Sequence, residues 1–143
     1  TRLRRALGFP GMAVLQFGFG TDDPANVHHP LNHAADVVVY TGTHDNDTTR
    51  GWFDKAPAWE RARALETVGG DGGDIAWRMM LALYGSAAER AIVPVQDVLG
   101  LGSEARMNTP SVPEGNWEFR LESGALTPEL AERLRAAAQG SGR

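Results

Sequence analysis

A chain of 143 residues, 42% of them apolar, holds enough hydrophobic material for one core and has an ordinary globular composition. Its formal net charge of -4, from 18 acidic residues against 14 Lys and Arg, offers no basic block to neutralise phosphates and excludes a nucleic-acid binder. No stretch approaches the roughly 18 apolar residues that span a bilayer, and the lack of cysteine removes disulfides and thiolate metal sites. A cytoplasmic protein fits that composition.

The opening residues Thr1-Arg2-Leu3-Arg4-Arg5-Ala6-Leu7-Gly8 run into Gly8 and Pro10, the pattern of a helix end. No apolar run of about 7 to 15 residues follows the basic ones, as a signal peptide would need. A start on Thr1 predicts a segment of a larger protein. Residues 12–19 form an apolar run bounded by glycines, the signature of a strand buried on both faces. Residues 20–36 collect polar residues and three histidines, with Pro24 and Pro30 breaking any helix. A loop this long in a compact domain is functional or disordered.

Residues 37–43 are largely β-branched and lack alternation, so they predict a second strand buried on both sides. His44-Asp45-Asn46-Asp47-Thr48-Thr49 follows at once. A helix is expected over residues 58–68, then a flexible linker at Gly69, Gly70, Gly72 and Gly73. No strand precedes those glycines and no Gly-Lys-Ser/Thr follows, so they are not a phosphate loop. A second helix spans about 75–84, with Asp74 as N-cap and Gly85 as stop. Ser86-Ala87-Ala88-Glu89 has capping-box spacing and predicts one more helical turn.

Residues 91–95 form a third short strand, weakened by Pro94. Residues 96–120, with Pro110, Pro113 and Gly115, read as an ordered excursion without regular structure. Thr127 and Pro128 then open a helix over about 128–139, with Leu130, Leu134 and Ala137 on one face.

Buried-type strands joined by long helical connections predict an α/β fold of parallel β/α units. Three strands cannot close a (β/α)8 barrel, which takes about 250 residues. A free-standing three-stranded sheet would expose apolar edges that nothing in the sequence blunts. Residues 1–143 are therefore expected to be part of a barrel and no complete independent domain. Catalytic groups of such barrels lie at the C-terminal ends of strands, where His44 and Asp45 stand. On its own, an Asp after a strand is a common turn residue.

The wider string Val38-Val39-Tyr40-Thr41-Gly42-Thr43-His44-Asp45-Asn46-Asp47-Thr48-Thr49-Arg50-Gly51-Trp52 resembles the signature of 4-α-glucanotransferases of the amylomaltase and disproportionating-enzyme family. Pro10-Gly11-Met12-Ala13-Val14-Leu15-Gln16-Phe17 is similar to the preceding barrel strand of that family. Residues 94–110 and Glu114-Gly115-Asn116-Trp117 are similar to its last strand and the loop beyond. The resemblance implies the C-terminal part, about three β/α units, of a (β/α)8 TIM-type barrel, whose three strands are the sixth to eighth.

It also implies a retaining transferase that moves α-1,4-glucan segments between malto-oligosaccharides through a covalent glycosyl-enzyme. Nucleophile and acid/base would lie on earlier strands, in the missing N-terminal part of the same barrel, leaving this chain inactive by itself. Asp45 would be the transition-state stabiliser, holding the 2- and 3-hydroxyls of the sugar at the cleavage point, with His44 donating to the same sugar. Asn108 resembles a polar residue near the family's substrate cleft, or it organises the turn before Pro110. Asp47 and Arg50 are expected to brace the loop that carries Asp45. No cofactor is implied. A related α-amylase-type hydrolase and a non-catalytic glucan-binding fragment are the competing readings.

Trp52 and Trp117 stack on glucose rings or belong to the core. Gln16 and Asp97, at strand ends, are weaker site candidates. His29 and His33 are four residues apart, but Pro30 keeps them off one helical face, so no metal site is expected. The family pattern in this loop departs here at Val27, His29 and Leu31, which leaves the loop either a substrate contact or a structural flap.

Overall fold

The computed structural model describes residues 2–143, so Thr1 of the expected helix end lies outside the described residues. A short helix α1 (Arg2–Ala6) leads into strand β1 (Gly11–Val14). Strand β2 (Val37–Tyr40) and helices α2 (Thr49–Lys55), α3 (Ala58–Val68) and α4 (Ile75–Tyr84) follow. Strand β3 (Arg90–Ile92), the single turn α5 (Val95–Val98) and α6 (Pro128–Gly140) complete the described chain. No helix among the described residues is long and apolar enough to cross a membrane.

The three strands pair in sequence order and all in parallel, Gly11 opposite Val37 and Val38 opposite Arg90. Helices α2, α3 and α4 all lie between β2 and β3, while only 3₁₀ turns and the long loop join β1 to β2. Parallel strands joined by such crossovers are the repeat from which a (β/α)8 barrel is built. Helices cover one side of the sheet. Ala13, Val39 and Leu15 pack there with Phe53 of α2, Ala64 of α3, and Ile75, Met79 and Leu83 of α4. A second cluster joins Trp77 and Met80 of α4 to Val98, and Leu130, Leu134 and Ala137 of α6 cover it.

Several expectations are corrected. The first strand ends at Val14, and Leu15–Gly18 coil into a 3₁₀ turn. The apolar run continues past the strand because Leu15 and Phe19 are core residues, and burial leaves the same sequence trace in a strand or a turn. Strand β2 ends at Tyr40 rather than Thr43, and β3 stops at Ile92, before Pro94 precedes α5. Burial on both faces does not hold within this chain. Met12 is 59% and Ile92 51% exposed, so one face of the sheet stands open.

Helix α2 was not foreseen, because its start is hidden in a polar string. The Thr48 hydroxyl caps it by accepting from the Gly51 amide at 3.0 Å. A side chain at Gly51 would run into Ser103 and the Asp47 carboxylate, so the helix tolerates no Cβ there. Asp74 does precede α4, but its carboxylate takes Arg78 Nε at 2.5 Å and caps no amide. Ser86 starts no helical turn; its hydroxyl donates to the Leu83 carbonyl at 2.8 Å. The glycine segment, expected as a linker, forms the turn between α3 and α4. Gly69, Gly70 and Gly72 have positive φ, and Gly72 sits against the Phe53 ring.

Candidate active site

Beyond β2 the chain makes a tight turn. The Asn46 amide donates to the Thr43 carbonyl at 3.1 Å, and Asn46 Oδ1 accepts from the Thr43 amide at 3.0 Å and its hydroxyl at 2.8 Å. An Asn side chain that closes its own turn is a common solution for so short a loop. His44 and Asp45 sit at the tip, with side chains 57% and 53% exposed.

Asp45 Oδ1 accepts from Asn108 Nδ2 at 2.6 Å, and His44 Nε2 lies 3.4 Å from the same oxygen. Arg106 donates to the backbone carbonyl of Asp45 at 2.7 Å and to that of Asn108 at 2.8 Å. The indole of Trp117 lies over the His44 ring, centroids 5.2 Å apart. The expected Asp45, His44 and Asn108 therefore meet in one place. Arg106 joins them without having been foreseen. It is 61 residues from Asp45 in sequence, and no local pattern links the two.

Behind the tip, Asp47 turns inward. Its carboxylate accepts from Lys55 Nζ and Ser103 Oγ, both at 2.7 Å, and from the Thr48 amide at 2.9 Å. Burial alone would raise its pKa, but the bonds from Lys55 and Ser103, the Lys55 charge and the Thr48 amide hold it below the ordinary carboxylate value. Gln16 Nε2 donates to the Asp47 carbonyl at 2.9 Å, fixing the turn from the β1 side. Asp47 thus ties the turn to α2 and to Ser103. Lys55 and Ser103, its partners, were not foreseen.

Arg50 has other partners. Its guanidinium grips Asp54 and donates to the Gly72 carbonyl at 2.7 Å, tying α2 to the glycine turn instead of to the Asp45 loop. Asp97 is fully buried. It accepts from Thr41 Oγ1 at 2.5 Å and from the Thr49 amide and hydroxyl at 2.7 and 2.8 Å. Burial raises its pKa despite these bonds. Its place is under the loop, joining the residue after β2 to the first residue of α2. Trp52 packs on Phe19 at the edge of the core, centroids 5.7 Å apart, while Trp117 is 54% exposed.

The histidines of the long loop are spent separately. His28 Nδ1 accepts from the Val14 amide at 3.0 Å, His29 Nε2 meets Thr67 Oγ1 at 3.2 Å, and His33 Nε2 meets the His28 carbonyl at 3.2 Å. No three His, Asp or Glu side chains converge as a metal site among the described residues. These bonds stitch the loop to β1 and α3.

An open groove of about 410 Å³ runs past Asp45, Gln16, Phe17, Trp52, Glu60 and Arg106. A larger hollow of about 780 Å³ lies under residues 18–32 against α3 and does not include Asp45. The smaller groove brings the exposed Asp45 carboxylate beside the exposed Phe17 ring and the Arg106 guanidinium, groups that suit a polyhydroxylated ligand.

A family model described as 4-alpha-glucanotransferase matches residues 1–127. The chloroplastic/amyloplastic 4-alpha-glucanotransferase of Arabidopsis thaliana is 48% identical over 140 residues, covering 93% of this chain and 24% of that protein. The 4-alpha-glucanotransferase of Thermus thermophilus is 47% identical over 149 residues, covering 99% of this chain and 30% of that protein. A solved amylomaltase from Streptococcus agalactiae, in complex with acarbose, is similar over 99% of this chain and 29% of its own, with a TM-score of 0.93 at 29% identity. The chain spans between 24% and 30% of the length of these relatives.

Proposed function

The chain belongs to the 4-alpha-glucanotransferase family, and from that premise we propose that it is the part of a retaining 4-α-glucanotransferase that binds the transition state. Its three strands are the sixth, seventh and eighth of a (β/α)8 barrel. The substrates are α-1,4-glucans and malto-oligosaccharides, and segments move from donor to acceptor through a covalent glycosyl-enzyme. A cytoplasmic setting belongs to the same proposal.

Retaining transfer needs a nucleophilic carboxylate and an acid/base about 5–5.5 Å apart. By the family resemblance Asp45 takes neither role; Asp47, the other carboxylate of its loop, is turned inward and engaged with Lys55 and Ser103. Both catalytic carboxyl groups are assigned to strands outside these residues. Asp45 instead binds the vicinal hydroxyls of the sugar at the cleavage point. As the glycosidic bond breaks, the ring flattens and positive charge develops, so these contacts tighten in the transition state more than in the ground state. His44, beside the same oxygen, donates to that sugar.

The observation that carries this reading is an exposed Asp45 at the C-terminal end of a parallel strand, aimed by Asn108 at 2.6 Å. It is tested in a full-length protein carrying this segment, given maltotriose and followed for glucose and a ladder of longer glucans. Asp45→Asn should lower transfer on the order of 100-fold or more, as removal of one aimed transition-state partner does, with the melting temperature kept. Near-normal transfer by that variant would refute the assignment. Glucose without longer products from the unmodified protein would favour the hydrolase reading.

A further inference from the structure

We propose that Arg106 and Asn108 are a positioning pair that sets the rotation of the Asp45 carboxylate, a role that rests on the function proposed above. The pair acts through Asp45, and Asn108 is not itself the sugar contact that the resemblance implied.

Asn108 Nδ2 donates to Asp45 Oδ1 at 2.6 Å, and that oxygen also faces His44 Nε2. Asp45 Oδ2 has no hydrogen-bond partner among the described residues. One oxygen is therefore held by the protein and the other is free for a ligand. A carboxylate on a single χ2 axis rotates almost freely when exposed. Bonding of one oxygen fixes the plane, and the lone pairs of the other then point in one direction.

Arg106 sets the distance across which this happens. Its guanidinium spans two backbone carbonyls, reaching Asp45 at 2.7 Å and Asn108 at 2.8 Å. The fork is planar and rigid, so the two segments cannot separate without breaking one of these bonds. A lysine, with one flexible point charge, cannot reproduce that spacing.

The loop behind Asn108 is closed as well. Asn116 Oδ1 accepts from the Thr109 amide at 2.7 Å, Asn116 Nδ2 donates to the Val112 carbonyl at 2.6 Å, and the Trp117 amide donates to the Met107 carbonyl at 2.7 Å. Trp117 accepts a positive φ of 64° there, uncommon for a bulky residue. Its indole lies against His44. The base of the loop is thus pinned on both sides of Asn108, which leaves that side chain little freedom to swing away towards a sugar.

The test is a double-mutant cycle on Arg106→Ala and Asn108→Ala in the full-length transferase, with Arg106→Lys as a third variant and folding checked by thermal melts. If the two residues act as one device on Asp45, each single change lowers kcat by about 10- to 100-fold, the loss typical of an ångström-scale misplacement, while KM stays within about twofold. The double variant is then no slower than the slower single. Added guanidinium restores part of the rate of Arg106→Ala, and Arg106→Lys stays impaired although its charge is kept. The proposal fails if the two losses multiply, or if Asn108→Ala raises KM and leaves kcat unchanged, which would make Asn108 a sugar contact. Should Arg106→Ala not fold, Arg106→Lys takes its place in the cycle with the same two outcomes. Failure of the function proposed above would show separately, as transfer that survives Asp45→Asn.

Discussion

Three aspartates within one loop system have three different fates, and their surroundings explain each. Asp45 stands at the tip of a turn with one oxygen free. Asp47, two residues on, is drawn under the turn by Lys55 and Ser103. Asp97 lies fully buried between Thr41 and Thr49, where desolvation outweighs three hydrogen bonds and raises its pKa. The string His44-Asp45-Asn46-Asp47 by itself does not say which carboxylate faces outward. His28 shows the same dependence on surroundings. Its Nδ1 accepts from the Val14 amide, so the ring must be neutral at that nitrogen. Burial lowers its pKa from the ordinary value, and burial also leads the lowering at His33, reinforced by the neighbouring His29 and His28 against the His28 carbonyl bond. The fold therefore prefers the neutral rings. Their contribution is complete above the unfolded value of about 6.5 and is lost as pH falls through the lower folded value. Hydrogen exchange in a full-length protein should report this. Protection of the segment around Val14, corrected for intrinsic rates, is expected to hold above neutral pH and fall in mild acid. Unchanged protection down to pH 5 would mean that the bond carries no weight.

Helix α2 decides where the site loop ends. Thr48 closes it with a hydroxyl cap on Gly51, and Thr49 hands its amide to Asp97, so two of the free amides of the first turn are satisfied within two residues. Replacing Thr48 by Ala should cost about 1 kcal/mol of stability, within the range measured for such caps, read as a shift in the denaturant midpoint without change in slope. A Thr48→Ser variant, which keeps the hydroxyl, should recover most of it. Three longer helices leave clearer traces, whereas the single turn α5 falls where a strand end and an irregular stretch are expected. Helix α3 and helix α4 stand where periodicity and flanking glycines put them, and Thr127-Pro128 opened α6 as expected. Helix α6 then docks on a seam that includes Trp77, whose Nε1 donates to the Val98 carbonyl at 3.0 Å while Arg133 lies 3.6 Å over its face. Helix α2 leaves little sequence trace because its capping threonines continue the polar string of the site loop.

The open face of the sheet governs the behaviour of the chain as a body. Met12 and Ile92 stand exposed on the two outer strands, and β1 and β3 each pair with β2 alone. Unpaired parallel edges with apolar side chains invite association with any other edge. The 143-residue chain expressed alone is expected to elute from a sizing column as soluble oligomers or aggregate. A monodisperse monomer with a sharp, reversible melt would overturn that expectation.

The unbroken apolar and β-branched runs with long connections between them were sufficient to expect parallel β/α units, and the resemblance of the string around His44 and Asp45 pointed to the end of the second strand. Those signals are local, since strand burial and the order of residues around a turn are written in neighbouring positions. The position of Asn108 and Arg106 on Asp45, the inward turn of Asp47 and the burial of Asp97 depend on segments from about 50 to 63 residues apart meeting in space. No short-range pattern encodes such meetings. They arise from packing α4 and the last segments onto one sheet, and that packing turned a polar string into an aimed carboxylate.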